Sequence, residues 1–301
     1  MPASIAELSW IETADGEIYD FNDSGTRFAL TAPINAGLPD QRFFTRLPYL
    51  GDREIETDDP RLNPRTFSMI IRNTQLNRDD FWAARTDLLN AVRPNRGGQP
   101  LFVFQFPDES ERAIYVRPQT PVFDNDDPQL WSEFSFEETM VFEAFDPVWF
   151  DPTADTSDIT QVIADELVFP ITFDDDNIVF DNEELFGQLV VNYTGNWYSY
   201  PTFTIDGPCD SITINHIELG LVINYNQPIL TGQQVVLNLN DRIFKKGNIN
   251  IVLHPISNIV DFRIEPEPVV AGVVNTFEIF LPNADGNSNV NVSYNTRYIG
   301  I

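Results

Sequence analysis

The 301-residue chain has little of the side-chain chemistry that enzymes and metal sites commonly use. Its one cysteine, Cys209, excludes an intrachain disulfide and any site built from several cysteines. Its two histidines, His216 and His254, follow no nucleophile motif, and we interpret both as surface or turn residues. The sequence therefore predicts no catalytic residue, no cofactor site and no metal site.

Lysine is absent from residues 1–150, and no apolar run approaches the roughly 18 residues that a membrane helix needs. The first residues lack the basic and apolar regions of a signal peptide. Residues 1–150 hold 13 Arg against 26 acids, a net of −13, and the whole chain has a net charge of −28. Such a surface repels anionic lipid and nucleic-acid phosphate, so membrane insertion is not expected.

Carboxylates are so abundant that they identify no site. With 46 acidic residues, some pair always falls at the spacing that a glycoside hydrolase needs, which makes that class the weakest of three hypotheses. The acidic runs at 124–127 and 174–176 do not match a calcium-binding loop. We interpret them as solvated turns.

Aromatic and β-branched residues in short runs predict an all-β fold with one helix. The first half is expected to contain two short strands over 16–30 joined by an Asn22–Gly25 turn, and further strands near 65–72, 101–106, 112–117 and 133–145. The helix is predicted over 77–92, capped by Asn77. Its expected apolar face consists of Phe81, Trp82, Ala84, Leu88, Leu89 and Val92.

Two prolines near residue 150 predict a boundary between domains at 1–150 and 151–301. Residues 153–166 are interpreted as a short helix or a linker, and Asp285-Gly286 as a hairpin turn. Short strands at regular spacing favour a β-sandwich or jelly roll in the second half. The strand candidates are 168–173, 188–194, 201–205, 211–215, 219–224, 234–239, 250–253, 258–264, 275–281 and 289–298.

Three aromatic residues in the second half are the one candidate binding site. Trp197, Tyr198 and Tyr200 would stack on a sugar ring if they are exposed. The alternative, packing in a core or an interface, is the commoner role of such a cluster.

Several segments of the second half resemble the Siphovirus-type phage tail component family, the distal tail proteins. They are Phe169–Phe173, Tyr193–Asn196 leading to Tyr200–Pro208, Ser211–Asn215 and Leu230–Leu239. The first half is similar in the order of its elements: an early strand pair, a proline-rich stretch, a strand, the helix, Gly97-Gly98 before a strand pair, and the Asp146–Phe150 segment. The likeness covers most of the chain.

This resemblance implies a non-enzymatic structural protein of the virion, in the tail tip or baseplate of a siphovirus-like bacteriophage. The N-terminal domain, a β-barrel or sandwich with one helix, would close a homo-oligomeric ring, a hexamer in the family, around a channel through which DNA passes. The C-terminal domain would be a galectin-like β-sandwich. The ring would join the tail tube protein to the tail-tip hub protein and carry receptor-binding or fibre proteins, after assembly in the host cytoplasm. The alternative function is a carbohydrate-binding module that attaches the particle to a host surface glycan.

Overall fold

The structure is a computed structural model. It describes residues 8–21, 28–30, 41–42, 45–46, 55–56, 61–75, 77–93, 98–106, 108–119, 131–132, 135–160, 184–253, 259, 261–266 and 275–300. Within these ranges the fold is built from antiparallel strands and a single helix, which confirms the predicted all-β class. His254, the acidic runs at 124–127 and 174–176 and the strand candidate at 168–173 lie outside the described residues.

The chain forms two compact units, one of residues 1–152 with 298–301 and one of residues 153–297. The first unit contains β1 (Leu8–Glu12), β2 (Ile18–Phe21), β3 (Phe28–Leu30), β4 (Gln41–Arg42), β5 (Thr45–Arg46), β6 (Ile55–Glu56), β7 (Arg61–Leu62), β8 (Arg65–Thr74), α1 (Arg78–Ala91), β9 (Leu101–Gln105), β10 (Glu111–Tyr115), β11 (Arg117–Pro118), β12 (Trp131–Ser132), β13 (Ser135–Ala144) and β14 (Trp149–Phe150). The second unit contains β15 (Asp155–Thr160), β16 (Glu184–Val191), β17 (Thr202–Asp206), β18 (Ile212–His216), β19 (Leu221–Tyr225), β20 (Gln234–Asn238), β21 (Ile243–Lys246), β22 (Ile249–Asn250), β23 (Asn275–Pro282) and β24 (Asn289–Tyr294). The last strand, β25 (Arg297–Tyr298), spans the point where the chain returns to the first unit.

The first unit has two main sheets with a shared aromatic core. Sheet A has the strand order β2-β1-β9-β10-β14-β25, and sheet B has the order β11-β13-β8-β3, with β12 also paired to β13. The ten-residue pairing of β8 with β13 alternates core and outward positions, because successive side chains point to opposite faces. The core side chains from the two sheets include Ile11, Phe67, Met69, Phe102, Phe142 and Trp149.

Helix α1 begins after Asn77, whose side-chain oxygen accepts a hydrogen bond from the Asp80 backbone N–H at 2.9 Å. Its predicted position is therefore confirmed, with Asn77 and Val92 as the caps. The predicted apolar face is only partly right. Phe81, Ala84 and Leu88 are buried, but Trp82 is 44% exposed and Leu89 is 40% exposed. Each of these two residues follows a buried one, and a step of one residue turns the side chain about 100° around a helix.

The two early strands exist as β2 and β3, and the turn predicted at Asn22–Gly25 lies outside the described residues. Strand β2 pairs with β1 and strand β3 pairs with β8, so these consecutive strands belong to different sheets. The hairpin of β1 and β2 turns at Gly16, which has a φ of 85°, and the Thr13 N–H donates to Glu17 O at 2.9 Å. Glycine adopts this left-handed conformation at little cost, so Asp15-Gly16 is a suitable turn sequence.

The second unit is a β-sandwich. Sheet C has the order β15-β24-β17-β20-β21-β22, and sheet D has the order β16-β23-β18-β19. Alternate residues of both sheets point into one core, which includes Phe203, Ile205, Leu237 and Val292 of sheet C and Ile214, Phe277 and Ile279 of sheet D.

Three predictions about the second half are wrong. Residues 155–160 form strand β15, which pairs with β24 along its whole length, and not a helix or linker. Asp285-Gly286 lies between β23 of sheet D and β24 of sheet C, so it connects the sheets and closes no hairpin. Residues 251–253 and 261–263 form no strand, although Ile264 makes an isolated bridge with Ser199. Local turn signals do not specify which sheet a strand joins.

Residues 298–301 belong to the first unit, whereas the sequence placed them in a domain over 151–301. The Arg112 guanidinium lies 3.7 Å above the Tyr298 ring, and Arg65 Nη2 donates to Ile299 O at 2.7 Å. Burial lowers the pKa of Arg65 to about 10. Specific side-chain contacts therefore hold the last residues in the first unit, and no sequence pattern reveals such contacts.

Candidate functional site

The segment that carries the predicted aromatic residues is fixed by backbone hydrogen bonds. It connects β16 of sheet D to β17 of sheet C. The Tyr193 hydroxyl donates to Trp197 O at 2.6 Å and accepts from the Arg297 N–H at 2.8 Å. A methyl group at Gly195 would lie 2.6 Å from Arg297 O, so the segment packs closely against its neighbour.

A two-residue bridge joins this segment to residues 261–266. The Ser199 N–H donates to Ile264 O at 3.0 Å, and the Ile264 N–H donates to Ser199 O at 2.7 Å. Ser199 and Ile264 point inward and are 2% and 0% exposed. Because side chains alternate along extended backbone, the residues on either side of each point outward.

These outward side chains and Trp197 form one cluster of rings and charges, which we call the bridge face: Trp197, Tyr198, Tyr200, Arg263 and Glu265. The Trp197 and Tyr198 ring centroids are 4.8 Å apart at an interplanar angle of 32°. The Tyr200 ring meets Tyr198 edge-on at 5.6 Å. All five side chains are half-buried, so part of each meets solvent.

Arg263 connects the rings to a carboxylate. Its Cζ lies 4.6 Å from the Tyr198 ring centroid, and its Nε donates to Glu265 Oε1 at 2.6 Å. Burial alone would lower the pKa of Arg263, but the hydrogen bond to Glu265 and the attraction of the Glu265 charge and of the nearby Tyr198 and Tyr200 together outweigh burial, so the net direction is upward. Arg263 therefore stays charged, and the pair as a whole is neutral.

Sequence reasoning identified the three aromatic residues of the bridge face but missed Arg263 and Glu265. The structure brings Trp197, Tyr198 and Tyr200 together, so they do form one cluster. The alternation of Phe262 and Ile264 with Arg263 and Glu265 was a usable signal, because it indicates two inward and two outward positions. What it could not reveal is that this segment lies beside Ser199.

A buried polar group supports the bridge face from below. The Asn275 side chain is 2% exposed. Its Oδ1 accepts from the Glu265 N–H at 2.7 Å, and its Nδ2 donates to Glu265 O at 2.9 Å. One side chain thus bonds both the N–H and the C=O of Glu265, which fixes the backbone position from which the Glu265 side chain extends.

His216 is a core residue, so its interpretation as a surface or turn histidine is wrong. Its ring is 1% exposed and meets the Phe277 ring edge-on at 4.7 Å. Burial lowers the pKa of His216, against the opposing effect of Glu218, whose Oε2 lies 3.3 Å from Nδ1. Cys209 is also buried, and burial raises the pKa of its thiol to about 11.

Among the described residues, no group of three His, Cys, Asp or Glu side chains is placed to bind one metal ion. Within the same ranges, no helix combines the length and the apolar character that crossing a membrane requires.

Among the described residues, the first unit has apolar side chains exposed both on sheet A and on α1. The cross-strand partners of sheet A place Ile18, Leu101 and Tyr115 in one row on its outward face, with Glu12 between the first two. Ile18 is 58% and Tyr115 is 50% exposed, and Tyr115 stacks on Phe150 at 5.4 Å. We call the apolar residues Ile18, Leu101, Tyr115 and Phe150 the sheet patch. The exposed Trp82 and Leu89 of α1 are the helix patch.

No family model and no curated protein matches the chain. Among solved structures, the chain is similar to the crystal structure of the SPP1 Dit (gp 19.1) protein, described as a paradigm of the hub adsorption apparatus in phages that infect Gram-positive bacteria. The similarity covers 96% of this chain and 98% of the Dit chain, with a TM-score of 0.58 and 14% sequence identity. The chain therefore shares the fold of a phage hub protein along nearly its whole length.

Proposed function

We propose that this protein is a structural subunit of the tail tip of a long-tailed bacteriophage. The observation that carries the proposal is the shared fold with a phage hub protein over 96% of the chain and 98% of that protein, because both units are included. A fold alone does not fix a function, so the proposal also needs surfaces that suit an assembly.

The two apolar surfaces of the first unit support assembly into a ring. A head-to-tail contact between identical subunits joins two different surfaces, and it closes into a ring when the rotation allows. The sheet patch and the helix patch are two such surfaces, formed by different elements of one unit. Exposed apolar patches of this kind commonly mark protein–protein contacts. The contact would also offset repulsion between copies that each have a net charge of −28.

In this proposal the ring contains six copies, a number taken from the family resemblance. It joins the tail tube protein to the tail-tip hub protein, carries receptor-binding or fibre proteins, and leaves a channel for DNA. The role is structural and not enzymatic, and the working location is the tail tip of the virion.

The test is negative-stain electron microscopy of the purified chain with light-scattering mass measured in parallel. We expect rings with a central hole for the natural chain, and monomers for Tyr115→Glu and for Trp82→Glu, because each places a charge in an apolar contact. Ile249→Glu is the matched control, since Ile249 is 72% exposed in the second unit. A monomer at every concentration of the natural chain, or rings that survive both patch substitutions, would contradict this assembly.

The alternative function, attachment of the particle to a host surface glycan, concerns the second unit only. The arrangement that favours it is the bridge face, because its three aromatic rings lie next to a charged pair.

A further inference from the structure

The bridge face places half-buried rings, hydrogen-bond donors and acceptors at the surface of the second unit, and of its rings Tyr200 also packs in part against the core. The sandwich core is complete beneath it, with Ile264 and Phe262 both 0% exposed. We propose that the bridge face is a binding site for a neutral saccharide. This inference gives the glycan-attachment alternative a defined site, and it does not depend on ring assembly.

The rings provide a platform for the apolar side of a sugar. A pyranose ring has a face of C–H groups, which packs on aromatic rings in the way that other apolar groups do. The Trp197 and Tyr198 rings are tilted by 32° with their centroids 4.8 Å apart, and Tyr200 meets Tyr198 edge-on, so the half-exposed parts of the three rings lie next to one another. Tyrosine and tryptophan also keep a polar atom that can bond a sugar hydroxyl.

The charged pair supplies the directional contacts. A guanidinium presents planar N–H donors, and a carboxylate presents only acceptors, so together they match the donor and acceptor roles of neighbouring sugar hydroxyls. The Arg263 and Glu265 side chains are 30% and 26% exposed, which leaves atoms of both accessible. Arg263 also lies over Tyr198, so the polar and the aromatic parts of the site are adjacent.

Charge selects against acidic ligands. Glu265 offsets the one cation of the bridge face, and residues 151–301 hold only 5 Lys or Arg against 20 acids. An anionic glycan would therefore meet a repulsive field without a free cation to bind it. A neutral saccharide has no such penalty, and its hydroxyls can use both members of the pair.

Hydrogen bonds hold the backbone of the site in place before any ligand binds. Tyr193 fixes the Trp197 backbone, the bridge fixes Ser199 and Ile264, and Asn275 holds the Glu265 backbone. Side chains on a fixed backbone lose less entropy when a ligand binds, which favours affinity in a small site.

The test is saturation-transfer NMR on the full chain with cellobiose, lactose and N,N′-diacetylchitobiose at millimolar concentration. We expect transfer to at least one of these probes, strongest at the C–H protons of one sugar face. Tyr198→Ala should weaken binding about tenfold by removing the central ring. Arg263→Lys should weaken it similarly, because an ammonium keeps the charge but loses the planar donors.

Phe145→Ala is the matched control. Phe145 is an exposed aromatic residue of the first unit, and Arg117 lies 4.9 Å from its ring centroid, so it reproduces the arginine–ring contact elsewhere. It should leave saccharide binding unchanged. Three results would overturn the proposal. They are no transfer to any of the three probes, transfer in both bridge-face variants that equals the transfer in the natural chain, and preferential binding of the acidic 3′-sialyllactose. Because light scattering reports ring assembly separately, loss of saccharide binding in an intact ring overturns this inference alone.

Discussion

Replacing Tyr193 with Phe removes one hydroxyl that serves two backbone groups. That hydroxyl donates to Trp197 O at 2.6 Å and accepts from the Arg297 N–H at 2.8 Å, in a residue that is only 5% exposed. The ring itself remains, so its packing against Tyr294 at 5.9 Å is kept. The substitution thus isolates the hydrogen bonds from the apolar contacts.

The expected cost follows from leaving these backbone groups without the hydroxyl. A buried polar group that loses its partner costs about 1–3 kcal/mol, and a typical satisfied bond contributes about 1 kcal/mol. We therefore expect Tyr193→Phe to lower the free energy of unfolding by about 2–3 kcal/mol. The bond to Arg297 is fully buried, so it accounts for the larger share.

Urea denaturation followed by tryptophan fluorescence measures this loss, with Trp197 as a reporter inside the affected segment. Tyr225→Phe is the matched control, because Tyr225 is equally buried at 5% and its hydroxyl bonds neither of the two backbone groups that Tyr193 serves, so a smaller loss is expected. Equal losses in the two variants would refute the claim that the Tyr193 hydroxyl fixes the segment. Unchanged saccharide binding in Tyr193→Phe would refute its role in shaping the bridge face.

Two further substitutions test the titration of the buried His216 and the N-terminal cap of helix α1. Because burial lowers the pKa of His216 in the folded chain, the unfolded chain binds the proton more readily. The contribution of the buried neutral His216 to the free energy of unfolding is therefore fully present above the unfolded pKa of about 6.5. It falls as the pH drops below that value, by up to about 1.4 kcal/mol per pH unit. His216→Leu should remove this slope between neutral and mildly acidic pH, and a slope equal to that of the natural chain would contradict the assignment. Asn77→Ala should cost about 1 kcal/mol of unfolding free energy, measured by urea denaturation, because it removes the cap on the Asp80 N–H. A cost near zero would show that the helix start does not depend on this bond.

The helix and several strands could be predicted from local chemistry. Asn77 followed by Asp79 and Asp80 is typical of a helix start, and the alternation over 135–144 indicates a strand with one buried face. These signals depend on neighbours within a few residues, so they can be recognised in the sequence before the fold is known.

Pairing could not be predicted in the same way. Strands β2 and β3 were located, but their membership of two sheets depends on partners far along the chain. The exposed Trp82 and Leu89 show the same limit, because an apolar residue on a helix is buried only if another element covers it. If the proposed ring forms, a second copy covers them.

The bridge face, too, could be predicted only in part from the sequence. The sequence alone contained two signals: three aromatic residues within four positions, and the alternation of Arg263 and Glu265 with Phe262 and Ile264. Only the tertiary structure decided that these two segments are adjacent, because the Ser199–Ile264 bridge joins residues 65 positions apart in the chain. It also decided that His216 lies in the core. Hydrogen bonds between distant residues, and the burial of side chains by distant residues, depend on how the whole chain folds. The alternation of side chains along a strand depends only on consecutive residues.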